Sequence, residues 1–349
     1  MTSHPKIKTF AGLAPIVVAV TLTSVTAQAN DRFAYREALS WFEKPLAVEI
    51  GDVTLQLRGS LEQAAVADLN ADTVTAKTSG VLHFSAETQL RNQLTIGAQY
   101  SAGYDTEPGS ITDVGGGGDG KKYSDDTFAF VSGTWGKVAV GNVSGTVIDE
   151  TVRQQQVGNA ALAFTGSFGG LGDWSASYRG RFGPGVVSAA VDEDANVTAG
   201  LRFSRPLGNK DYGFAVRGTL GSFTPADKSG DLDTKGILAV ADVIYGSTLI
   251  DLGFGYEKLQ SNVVDAQRIY LSGGLKHKTG AITLSASGHF GALEHNMESA
   301  FALGGRYDIA RGLSANLGVN YANLDAVVDG VTIEKKDALE AILSMRYDF

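Results

Sequence analysis

The sequence predicts an all-β chain that closes into a transmembrane antiparallel β-barrel of about sixteen strands. Three observations predict it. Residues 1–29 read as an export leader; segment after segment alternates apolar and polar residues with charges on the polar face; and the connections between segments alternate between tight and long.

In the leader, Lys6 and Lys8 supply a positive start. The apolar stretch from Phe10 to Leu22 is interrupted by Pro15 and too short for a permanent membrane helix, and Ala27-Gln28-Ala29 forms a small-residue cleavage box. Residues 1–29 are therefore expected to be removed as a signal peptide. Residues 30–50 do not alternate. Phe33, Ala34, Leu39, Trp41 and Phe42 recur nearer to helical spacing, which predicts a short extension, helical or docked on the periplasmic rim, ahead of a barrel over 51–349.

The barrel elements follow in order. Residues 52–66 open it, with Val53, Leu55, Leu57 and Leu61 on one face and Thr54, Gln56, Arg58, Ser60 and Glu62 on the other. Strands are expected next over 74–90, 92–103, 125–134 and 136–142, with tight turns at Arg91-Asn92 and Trp135-Gly136. The segments 172–182, 185–191, 196–206 and 210–221 are punctuated by Gly183-Pro184-Gly185 and Gly208-Asn209-Lys210. In segment 234–245 the stretch from Ile237 to Tyr245 is apolar on both faces apart from Asp242, so alternation leaves its register open. Gly246-Ser247 leads into 248–258, then 266–277, Thr279-Gly280 and 281–291, where Ile282, Leu284 and Phe290 oppose Thr283, Ser285, Ser287 and His289. The last three, 298–309, 312–323 and 337–349, turn at Ala310-Arg311-Gly312 and end on the clear alternation from Leu339 to Phe349. An even count with short turns on one rim puts both ends of the barrel on that rim.

Charged residues on the second face decide between barrel and soluble sandwich. A sandwich needs apolar residues to fill two packed layers, whereas a membrane barrel turns its apolar face to lipid and its polar face to water. Tyr100, Trp174, Tyr178, Phe182, Tyr212, Tyr245, Tyr256, Tyr307, Tyr321, Tyr347 and Phe349 fall on the apolar face, many near strand ends, as an interfacial girdle requires. The outer membrane and its lipid are the expected surroundings. The chain has 44 Gly and no Cys, which removes thiolate chemistry, and without the leader it carries 27 basic against 38 acidic residues, a net of −11. Such a charge excludes nucleic acid as a partner.

Three stretches resemble the general diffusion porins of Gram-negative outer membranes, closest to the purple-bacterial type. They are Gly51-Asp52-Val53-Thr54-Leu55-Gln56-Leu57-Arg58-Gly59, the hairpin from Phe130 to Asn142 with Gly136-Lys137 at its turn, and the terminal Arg346-Tyr347-Asp348-Phe349. The resemblance implies a water-filled channel for small hydrophilic solutes, a homotrimer, a terminal Phe349 read by the barrel-insertion machinery, and a third loop folded into the lumen. By position that loop is Val143 to Leu171, with Asp149, Glu150 and Arg153.

Alternation points nine basic residues inward, Arg58, Arg179, Arg181, Arg202, Arg217, Arg268, Lys276, Arg306 and Arg346, against eight acids, Glu62, Glu87, Asp242, Asp251, Glu257, Asp308, Glu340 and Asp348. Near balance argues against a dedicated anion pore. The expected constriction sets Asp149, Glu150 and Arg153 against Arg58, Arg179 and Arg202; the same arginines are equally compatible with wall ion pairs. His83, His277, His289 and His295 lack metal spacing, and no cofactor is expected. The rival readings are a barrel protease or phospholipase, types with ten to twelve strands, and an adhesin or receptor barrel.

Overall fold

A computed structural model describes residues 46–107, 110–113, 127–143, 157–161, 171 and 174–349. The expected signal peptide and most of the expected extension lie outside them. Among the described residues there are eighteen strands: β1 (Leu46–Ile50), β2 (Val53–Asp68), β3 (Thr73–Gln89), β4 (Thr95–Glu107), β5 (Ser110–Asp113), β6 (Thr127–Gly133), β7 (Gly136–Asn142), β8 (Ser175–Phe182) and β9 (Gly185–Asp192). The remainder are β10 (Val197–Leu207), β11 (Lys210–Phe223), β12 (Leu232–Tyr245), β13 (Thr248–Gln260), β14 (Asp265–Thr279), β15 (Ile282–Leu293), β16 (Asn296–Ala310), β17 (Leu313–Val328) and β18 (Val331–Asp348).

Sixteen of these form the wall, each antiparallel to its neighbours, and β18 closes the ring by pairing with β2 from Glu340↔Asp68 to Asp348↔Ser60. The two others are short. β5 pairs with the tip of β4, and β1 pairs with the start of β2, from Leu46↔Leu57 to Ile50↔Val53. Residues 46–50, expected within the extension, are a strand paired to the barrel. Leu46, Val48 and Ile50 alternate with Ala47 and Glu49, and they complete the edge of β2 that β18 leaves bare. Phe349 stands between the two, exchanging backbone hydrogen bonds with Gly59 at 2.8 and 2.9 Å.

Outward residues make a lipid-facing belt. On β12 it runs from Ile237 to Tyr245, and on β13 from Ile250 to Tyr256, with each of these large side chains exposed or nearly so. Nine residues of tilted strand give a height of about 25 Å, that of a membrane barrel's apolar band. Above the belt the outward face becomes charged, with Lys258 and Asp265 paired at 2.9 Å. Paired or stacked rings line it: Phe301 with Tyr321, Tyr347 with Phe349, and Trp135 with Tyr178, whose hydroxyl donates to the Trp135 carbonyl at 2.7 Å. Closed pairing leaves no wall strand for lipid to unravel. This is a transmembrane β-barrel.

The tight turns fall where expected, on the rim shared with Phe349. Gly208 and Gly246 hold positive φ, +63° and +57°, at two of them. The register of β12 is resolved, with Leu238, Val240 and Asp242 inward and Ile237, Val243 and Tyr245 outward. The opposite rim differs from expectation at its last hairpin. Residues 324–336, expected to be loop, extend β17 and β18 to a two-residue turn at Asp329-Gly330, where both residues have positive φ. Ile333 is the extra residue of a bulge between the Ala326↔Glu334 and Val327↔Thr332 pairs.

This hairpin carries apolar residues on its inner face. Leu324, Ala326, Val328, Val331 and Ile333 are buried in one cluster with Leu232, Leu259, Val264, Ala266 and Leu293 of β12 to β15 and their loops. Its tip reaches the loop after β11, where the Ala226 N–H donates to the Ile333 carbonyl at 3.1 Å and the Thr332 N–H to Asp227 Oδ2 at 2.7 Å.

Candidate functional site

The lumen is the candidate site, and the third loop defines it. Its described segment, residues 157–161, lies inside the barrel against the inner faces of β15 to β18. The Val157 N–H donates to Ser285 Oγ at 3.1 Å and the Ala161 N–H to Asn320 Oδ1 at 2.7 Å. Asn320 Nδ2 donates back to the Asn159 carbonyl at 3.1 Å, and Asn159 Nδ2 to Ser344 Oγ at 2.8 Å. Ala160 packs on Ala300, Ala302 and Ala322.

Small residues make the landing place. A side chain at Gly304 would strike the Val157 carbonyl, and one at Gly318 the backbone of Asn159. Backbone lies directly on backbone here, which the missing Cβ atoms permit. Between the segment and β2, β3 and β18 remains a cavity of about 680 Å³. Glu62, Asp68, Lys77, Asn159 and Glu340 are among its lining residues.

The expected constriction residues divide. Asp149, Glu150 and Arg153 lie outside the described residues. Arg58 faces inward and is exposed, its Nη2 donating to Gln99 Oε1 at 3.2 Å. Arg179 faces the lumen in register with Lys137 of β7 and Ser188 of β9. Arg202 is buried and bound to Asp242 at 2.5 Å, reaching over Gly213, whose absent side chain leaves the pair its space. Arg202 is thus a wall ion pair, as are three more of the inward arginines. Arg306 and Arg346 both contact Asp308 or Asp348 at 2.7 Å, and Arg268 binds Glu298 at 2.8 Å and Glu257 at 3.3 Å.

Several lumenal residues escaped sequence reasoning. Lys137 lies over the Phe130 and Phe128 rings at 4.1 and 4.7 Å, so those aromatics face inward with it. Glu298 joins Arg268 and His289, the last at 2.8 Å, with Tyr270 beside them. The Gly304-Gly305 pair and Gly318, glycines inside strands, are the signal that could have located the loop's dock.

No family model and no curated protein matches the sequence. Solved structures do match. In-vitro folded OmpT, an outer-membrane protein of Vibrio cholerae in a trimer form, is 15% identical with a TM-score of 0.62, covering 85% of this chain and 99% of that one. Salmonella typhi OmpF, in complex with daunomycin, is 13% identical with a TM-score of 0.63, covering 87% of this chain and all of that one. An anion-selective porin from Comamonas acidovorans is 12% identical with a TM-score of 0.60, covering 85% and 100%. At such identities the likeness is one of fold, and it is the porin-type fold.

Proposed function

We propose that the protein is a diffusion porin, a water-filled channel that passes small hydrophilic solutes and ions across the outer membrane. The observation that supports this reading is the third-loop segment at 157–161, which docks inside the barrel on the inner wall beside a cavity lined in part by Glu62, Asp68, Lys77 and Glu340. A loop so placed narrows a barrel without sealing it. A wall of sixteen strands also exceeds the ten to twelve of the barrel proteases and phospholipases.

In this reading Asp149, Glu150 and Arg153 hang from the same loop and face Arg58 and Arg179 across the passage, while Arg202 is neutralised at the wall. The assembly is a homotrimer, like the trimer form of the Vibrio protein, residues 1–29 are removed on export, and Phe349 marks the chain for insertion. Planar bilayers test it. Purified protein should add stepwise conductance, and Asp149→Asn with Glu150→Gln should move the reversal potential toward anions, more at low salt than at high. Detergent-folded barrels that add no conductance would overturn the channel. Conducting barrels with unmoved selectivity would remove the two acids from the constriction.

A further inference from the structure

At the extracellular end of half the barrel the inner faces of the strands pack on one another. The β17–β18 hairpin and the strands back to β11 span eight of the sixteen wall strands, and their inner faces meet in one apolar cluster where Ile333, Leu259 and Leu293 are wholly buried. Apolar side chains facing a water-filled mouth gain nothing, whereas packed against each other they lose their contact with water. One rung lower, Arg268, Glu257, Glu298 and His289 are no more than 1% exposed, although alternation turns them to the lumen. Charges so placed are tolerable only as a mutually bonded group, which they are. The hydrogen bonds from Ala226 and Thr332 tie the hairpin tip to the loop after β11, nearly across the ring.

We propose that residues 324–336 form a fixed roof that confines solute passage to the β2–β10 half of the mouth and so sets the channel's size limit. The proposal rests on the channel reading above. Replacing Ala326–Glu334 by Asn-Gly keeps the Asp325↔Lys335 pair and removes the roof; Ile333→Asp loosens it with the chain at full length. Both should raise single-channel conductance, by at most about two-fold for the deletion because the third-loop segment remains in series with the uncovered mouth, and should admit larger neutral sugars in liposome swelling. The chain lacks Cys, so Asp227→Cys with Thr332→Cys gives a unique thiol pair. A disulfide or short bis-thiol cross-link between them should leave conductance and size limit at wild-type values. A roofless barrel that folds, inserts and behaves as wild type would overturn the proposal, as would a cross-link that lowers conductance. Wild-type barrels that conduct nothing would instead sink the channel reading, and the roof's role with it.

Discussion

At Gly318 a single hydrogen stands where any other residue would put a carbon into the backbone of Asn159. Four hydrogen bonds hold the third-loop segment to the wall, each contributing about 0.5–1.5 kcal/mol net, and all depend on that approach. Gly318→Val should therefore push the segment off. Overpacking of this kind costs about 1–3 kcal/mol, so amide exchange at Val157 and Ala161 should accelerate about ten- to hundred-fold. Gly288→Val is the control, since a side chain there meets only the Phe290 ring edge at 4.0 Å. Equal exchange in the two variants would mean that the segment is held from elsewhere.

The roof hairpin belongs to the scale of elements, and its latch has a defined pH dependence. The Ser229 hydroxyl and then the Thr332 N–H donate to Asp227 and hold its carboxyl below the usual aspartate range. A depressed folded pKa means that the latch's contribution is complete above the ordinary aspartate value, near 4, and fades as pH falls through the lower folded value. Asp227→Ala should accordingly speed amide exchange at Thr332 relative to wild type at about pH 6, and the difference should shrink toward about pH 2. A difference that persists undiminished in acid would exclude the carboxylate as the latch. Strand by strand, most of the wall was legible, because lipid outside and water inside impose period 2 on one-sided strands such as β15 and β17. The same rule hid the roof. Leu324 to Ile333 lie above the lipid, where an inward apolar residue means packing rather than membrane, yet Asp329-Gly330 between valines was a hairpin signal in plain view. The lumenal charges were legible as inward but not as partnered. Whether Arg202 faces water or Asp242 depends on Gly213 of the strand between them, a relation across the sheet that no single strand's pattern contains.

For the molecule as a whole, closure is the property on which the rest depends, and two chain segments share it. β18 covers β2 from Ser60 to Asp68, Phe349 covers Gly59, and β1 covers Val53 to Leu57. The C-terminal strand thus stops short of the rim, and a strand from the other end of the chain finishes its course in the same direction. Without β1 five residues of β2 would present an open edge, which either frays in water or pairs with another copy. With the leader joined directly to residue 46, the barrel should keep the heat-dependent shift in electrophoretic mobility of the full chain. Joined instead to residue 51, it should lose the five residue pairs of β1, on the order of 5 kcal/mol at about 1 kcal/mol per hydrogen bond. Its mobility shift should then occur at lower temperature and its unfolding in detergent at lower guanidinium concentration. Cross-linking should also capture pairs of barrels joined through Val53 to Leu57. If the two truncations unfold alike and neither dimerises, β18 alone closes the wall and β1 is an appendage upon it.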